Sequence, residues 1–255
     1  MTSRRPLSWR WLIGLLGTLC FLLLWQIAAW LSGPSFLPGP IRVLLLFFEQ
    51  IQTREYLITV GASYQRVMMG WALGSLFGLI LGIIMGRYRL FGTIIYSPMQ
   101  FFRVIPAVAL VPILVIWLGV GETIKILIIG YGVALVVAIN IAEAVQRVAP
   151  VRLQAARSMG AGPLRIFWGV LIPSVIPEAL KGMRGSLAFA FMSIVGIETL
   201  AAQEGVGQMI WSARVLHQTD VALLGVLTLG LMGVLADTVV RLAFRIFGYR
   251  FMLRG

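Results

Sequence analysis

The side chains that most often carry chemistry are scarce in this chain. His217 is the only histidine, Cys20 the only cysteine, and acidic residues number nine. One histidine cannot build a histidine-rich metal centre, and one cysteine excludes an internal disulfide. No nucleophile and base can be matched within the apolar segments, and no GxxxxGK[ST] phosphate cradle is present. The chain therefore does not hydrolyse ATP by that device, and no cofactor or metal is expected. What remains is charge placed where charge is expensive.

Arg103, Glu198 and Asp237 each stand inside a stretch that is otherwise apolar. An ionised group at membrane depth faces a bundle interior, a partner or a solute path. Arg103 lies three residues before Pro106. It either lines a translocation route that favours anions or pairs structurally. Glu198 precedes Gly205-Val206-Gly207 and needs a cation, for which Arg103 is one candidate. Asp237 and Arg241 are spaced i, i+4, as an ion pair on one helix would be. Glu178, Lys181 and Arg184 form a similar set. His217 falls in a loop and is expected at the surface.

These charges need an apolar frame. Hydrophobic residues make up 60% of the 255 positions and charged residues 12%, against roughly 45–50% and 25% in soluble domains. A globule of this composition could not be covered with polar side chains, which points to an integral membrane protein. Six apolar stretches can be marked: Trp11 to Leu31, Val67 to Gly86, Leu90 to Trp117, Ile126 to Ala142, Gly185 to Gln203 and Val221 to Val240. About 20 residues suffice to cross the hydrocarbon core, so an all-α membrane protein of six helices is expected. The third stretch is interrupted by Pro98, Pro106 and Pro112.

Placing both termini in the cytoplasm assigns fifteen of the 21 basic residues to inner segments, among them Arg4, Arg5, Arg10, Arg87, Arg89 and Arg254. Five fall outside: Arg42, Arg54, Arg66, Lys125 and Arg214. That asymmetry sets the orientation. It also accounts for the net charge of +12 without nucleic acid. The organisation expected is an N-terminal tail and first helix (1–31) and an outer loop with a short interfacial helix (32–59). A five-helix core (60–250) and a cytoplasmic tail (251–255) follow.

Two patterns stand out. Gly70, Gly74, Gly78, Gly82 and Gly86 recur every four residues, and small residues at that spacing let helix backbones approach in a bilayer. Each step turns by ~40°, so the track is expected to wind round its helix and serve more than one neighbour. The second pattern lies in the long inner loop, 143–184. Leu153, Gln154, Ala155, Ala156, Arg157, Ser158 and Met159 favour helix, and Gly160 fits the position just past its end. Pro163 then suits a second helix start, and Pro173 a turn into the fifth span. A helix this short gains little from propensity alone. It is best explained by a partner's groove that receives it.

The loop resembles the EAA signature of inner-membrane permeases of binding-protein-dependent ABC importers: Glu-Ala-Ala, three residues, Gly, nine residues, Ile-x-Leu-Pro. Here Ala155, Ala156 and Gly160 match, and Val170 to Pro173 close the pattern, with Gln154 in place of the glutamate. Phe36 to Pro40, Arg103 to Pro106, Trp117-Leu118-Gly119, Glu122 to Lys125 and Glu198 with Gly205 and Gly207 resemble the nitrate/sulfonate/taurine/bicarbonate branch. The fold this implies is the type I importer transmembrane domain. Implied partners are a second permease copy, two cytoplasmic ATPase subunits, an extracytoplasmic solute-binding protein and membrane lipid. Leu153 to Gly160 with Pro173 would couple to the ATPase. Arg103, Pro106, Glu198, Gly205 and Gly207 would form the path and gate. Other classes remain open on the residues alone: an ATPase-independent secondary transporter or channel for a small anion, an intramembrane enzyme, which would need a nucleophile and base at matched depth that are not found, and a purely structural membrane subunit.

Overall fold

The computed structural model of the protein describes residues 7–33 and 36–252. Arg4, Arg5 and Arg254, counted above as cytoplasmic charge, lie outside them, as does Pro34. Every regular element among the described residues is helical: α1 (Leu7–Ser32), α2 (Pro40–Gln50), α3 (Arg54–Arg87), α4 (Arg89–Val104), α5 (Val111–Leu118), α6 (Glu122–Gln146), α7 (Pro150–Ser158), α8 (Pro163–Ile166), α9 (Ile172–Ala201), α10 (Val206–Val215) and α11 (Thr219–Met252). Five helical runs are long and apolar enough to cross a bilayer, and a sixth span results if α4 and the segment ending in α5 count as one.

Several helices outrun their apolar stretches. α3 begins at Arg54 and α6 at Glu122, so Arg66 and Lys125 lie on helices rather than in outer loops. Both are buried, at 5% and 4% exposure. Stopping each stretch at a charge misplaced them, because each finds an acid within the bundle. The fifth stretch is also longer than expected. Helix runs from Pro163 through a π turn at Phe167–Leu171 into α9. Pro173 occupies the first turn of α9 and makes no turn in the chain. Its missing N–H breaks the i→i−4 ladder, and the ladder widens in the turn before it. α11 likewise continues past Val240 to Met252.

The chain divides into two compact units. The first joins residues 1–59 to 209–228. Within it Trp25 donates from Nε1 to the Pro38 carbonyl at 3.1 Å. Arg42 pairs with Asp220 at 2.8 Å, and the Tyr56 hydroxyl meets that of Thr228. The short helix expected within residues 32–59 is present as α2, with Val43 buried and Ile41, Leu45 and Phe48 exposed.

The second unit, 60–208 with 229–255, is built round α6. Ile128, Val133, Val137 and Ile141 of α6 pack with Val175, Leu187, Ala190 and Ile194 of α9 in one continuous core. All eight are 3% exposed or less. Lipid gives no hydrophobic drive for such contacts, so close packing holds them.

Candidate functional site

The five glycines of α3 all meet one neighbour. A Cβ at Gly78 would come within 2.7 Å of the Ala134 carbonyl oxygen, and one at Gly82 within 2.6 Å of that of Ala138. Gly70 faces Ile129, Gly74 faces Gly130 and Gly86 faces Val145 in the same register. The track therefore does not divide itself among several helices. α6 follows it as it turns, and the two backbones lie in contact at all five glycines, over four successive four-residue steps.

At the end of the unit where α6 begins and α9 finishes, four helices converge on a buried ion cluster. Glu198, with no exposed surface, accepts from Arg66 Nη1 at 2.7 Å, the Gly207 backbone N–H at 2.8 Å and the Ser63 hydroxyl. Ser63 in turn accepts from the Val206 N–H at 2.9 Å. Arg66 spans two carboxylates, donating from Nη2 to Glu122 Oε1 at 2.9 Å, and its Nη1 also reaches the Glu204 carbonyl. Lys125 closes the cluster on Glu122 at 2.6 Å. Two cations and two anions balance, and the donors around Glu198 are satisfied, the condition under which buried charge is tolerated. The carboxylate also sits at the N-terminus of α10, where a negative charge is favoured.

The loop that leads to α10 is shaped by this carboxylate. Gly205 has φ +142°, and a Cβ there would collide with the Glu198 carboxylate group. At Gly207 a Cβ would lie 2.8 Å from the Val195 carbonyl. Glu198, Gly205 and Gly207 are thus brought together, whereas Arg103 is not among them. Arg66, not Arg103, is the partner of Glu198. Arg103 is exposed and forms no ion pair among the described residues.

The third apolar stretch is broken at the proline that follows Arg103. α4 ends at Val104, and the chain bends by 91° into a 3₁₀ turn and α5. Pro106 has no N–H for the carbonyl of Phe102, four residues earlier. That carbonyl accepts from the Ile105 N–H at 3.3 Å and from the Tyr131 hydroxyl of α6 at 3.0 Å. Pro98 is held inside α4, and Pro112 opens α5. The 3₁₀ turn lies on α9, where Val108 covers Gly196, and Ala107, Val111 and Ile197 share the core. Pro106 and Glu198 therefore belong to elements that touch.

At the opposite end, α7 closes with a Schellman motif. The Gly160 N–H bonds the Arg157 carbonyl at 2.9 Å, and the Ala161 N–H bonds that of Ala156 at 3.0 Å. Gly160 has φ +78°, which glycine adopts without cost. Ala156 is buried and Leu153 half-buried. The opposite side shows Val151 at 71% and Met159 at 80% exposure, flanked by exposed Gln154, Ala155 and Ser158. Further along, Asp237 takes both Arg241 at 2.7 Å and Arg184, while Glu178 holds Lys181 at 2.8 Å. Among the described residues no three His, Cys, Asp or Glu side chains group to hold a metal.

Sequence reasoning missed Ser63, Arg66, Glu122 and Lys125 as one site. The available signals were the i, i+3 spacings of Ser63 with Arg66 and of Glu122 with Lys125, and an orphaned Glu198 that required a cation.

Comparison with known proteins gives a consistent picture. Residues 74–252 match the family described as binding-protein-dependent transport system inner membrane component. The taurine transport system permease protein TauC of Escherichia coli (strain K12) is 33% identical over 246 residues, covering 91% of this chain and 90% of that protein. The putative aliphatic sulfonates transport permease protein SsuC of Bacillus subtilis (strain 168) is 30% identical, with 91% and 85% covered. The bicarbonate transport system permease protein CmpB of Synechococcus elongatus is 28% identical, with 89% and 85% covered. A solved inward-facing structure of the MetNI methionine ABC transporter shares the fold, with TM-score 0.59, 20% identity and coverage of 72% of this chain and 94% of that one.

Proposed function

Because the chain belongs to the family of binding-protein-dependent inner membrane components, it is the multi-pass permease subunit of an ABC importer and not the ATPase, and we propose that α7 transmits the ATPase's motion to the bundle. The observation that carries this reading is the form of α7. It is a nine-residue helix stopped by a Schellman motif, and it turns Val151, Ala155 and Met159 away from the body of the protein. Exposed apolar side chains on so short a helix gain their value from a groove that covers them.

Both termini and α7 face the cytoplasm in this reading. The distribution of basic residues supports it. Arg66 and Lys125 lie in the bundle, which leaves Arg42, Arg54 and Arg214 as the basic residues of the outer segments. The second permease is a further copy of this chain, and two ATPase subunits and one solute-binding protein complete the assembly. ATP-driven closure of the ATPases draws the two α7 helices together. Each pulls on α6 and α9, the helices that flank it in the chain. The path then opens outward to receive solute from the binding protein, and hydrolysis resets it inward. The broken α4–α5 segment, with Arg103 one turn before the break, lines the path. Glu198, Gly205 and Gly207 shape its outer end.

The solute is a small anion of the sulfonate, taurine or bicarbonate kind. The names of the relatives and the unpaired guanidinium of Arg103 support this class. The test is ATP hydrolysis by the purified complex with binding protein loaded with each anion in turn. One anion should stimulate hydrolysis and be taken up. Arg103→Ala should lower that uptake about tenfold, the scale of one lost charge-assisted contact, with assembly unchanged. Stimulation only by solutes that lack an anionic group would refute the assignment.

A further inference from the structure

The loop that carries α7 encloses a cavity of about 390 Å³ against the ends of α3 and α6. Its walls are mixed. Leu153, Phe167 and Leu171 give an apolar side, and Arg87 and Arg157 give a cationic one. No acid lines it. Arg87 lies over the Tyr88 ring, and neither arginine forms an ion pair among the described residues. Four other arginines of this unit, Arg66, Arg147, Arg184 and Arg241, each hold a carboxylate, whereas Arg87 and Arg157, like Arg103, do not among the described residues.

We propose that this cavity binds the phosphodiester headgroup of an anionic phospholipid of the cytoplasmic leaflet. Leu153, Ala156 and Arg157 stand at i, i+3 and i+4 on α7, with Ala156 buried, Leu153 half-buried and Arg157 exposed. Leu153 and Arg157 both line the cavity, whereas Val151, Ala155 and Met159 do not. Arg87 enters from the last turn of α3, where an apolar span of the bilayer ends. Two guanidiniums without a counter-ion match a phosphate bidentately, and the leucines and Phe167 match the glycerol and first methylenes of a chain. A lipid is preferred to a soluble phosphate because half the wall is apolar and the cavity lies where the apolar run of α3 ends. Such a lipid would wedge between α7 and α3 and set the resting position of the coupling helix. This assignment rests on the cytoplasmic placement of α7 proposed above.

The test is native mass spectrometry of the purified complex from mixed micelles of phosphatidylglycerol and phosphatidylcholine in equal amounts. Phosphatidylglycerol should be retained preferentially, and Arg87→Gln should lower its retention about tenfold. Arg87→Lys should keep most of it, and a large excess of inorganic phosphate should not displace it. Arg157→Gln should repeat the loss. Equal retention of the two lipids, or no change in Arg87→Gln, overturns the proposal, and displacement by inorganic phosphate overturns its lipid source. Labelling of Met159→Cys by a membrane-impermeant thiol reagent reports separately on orientation. Labelling from outside intact cells would sink the placement of α7 whatever the lipid result.

Discussion

Glu198 illustrates how a single carboxylate can organise the end of a membrane bundle. It has no exposed surface, yet three donors surround it, counting both the ion pair and the backbone of α10. Removing one partner of a buried pair leaves the other charge without compensation. Glu198→Ala should therefore destabilise the protein by about 3–5 kcal/mol. Glu122 also contacts Arg66, but its side chain is 58% exposed, so water can replace what it supplies. Glu122→Ala should cost about 1 kcal/mol. Thermal unfolding of the detergent-solubilised variants measures the difference, and equal losses would show that burial does not govern the cluster. Glu198 and the two glycines after it were legible in the sequence as a group. Its cation was not, because apolar stretches were ended at charged residues. A charge that is neutralised inside a bundle looks, in sequence, like a charge that ends a helix.

At the scale of elements, α3 and α6 are joined by backbone contact rather than by interlocking side chains. A methyl group at Gly78 would lie 2.7 Å from the Ala134 carbonyl and 2.9 Å from Val137 Cβ, so the helices must separate to accept it. Gly78→Ala should destabilise by about 1–3 kcal/mol. Gly233 of α11 has open space around its would-be Cβ, and Gly233→Ala should instead stabilise by about 0.5–1 kcal/mol through the lower entropy of the unfolded chain. Thermal melts of the two variants should move in opposite directions. The spacing of these glycines was readable, but their common target was not, since the drift of a straight helix says nothing about how its neighbour curves. The break at Pro106 was likewise readable. Its rescue by the Tyr131 hydroxyl depends on a contact between residues 29 positions apart.

The end of α7 carries a sharper test. Gly160 holds φ +78°, a conformation that costs a β-branched residue about 1–2 kcal/mol and that asparagine tolerates. Gly160→Val should leave the complex in the membrane and its ATPase active while uptake falls about tenfold or more. Gly160→Asn should transport nearly as the parent does. Parallel assays of ATP hydrolysis and uptake in proteoliposomes separate the two outcomes. Unimpaired uptake in Gly160→Val would count against a coupling role.

At the scale of the whole molecule, the same helices serve two ends of one machine. α6 and α9 reach from the ion cluster at one end towards α7 at the other, and the broken α4–α5 segment packs on both. The polar ties of the cluster hold α3, α6, α9 and α10, whereas α5 rests on its neighbours through apolar contacts. That division suits a segment that shifts against a fixed frame. The membrane placement and the all-helical fold were legible in the composition and in the lengths of the apolar stretches. The role of α7 depends on a subunit that the chain meets only in the assembly. A photoreactive amino acid at position 159 tests it most directly. In the complete transporter with its binding protein, cross-links from this position should form with the ATPase subunit and respond to nucleotide. Cross-links to the binding protein, or none to the ATPase, would contradict the account.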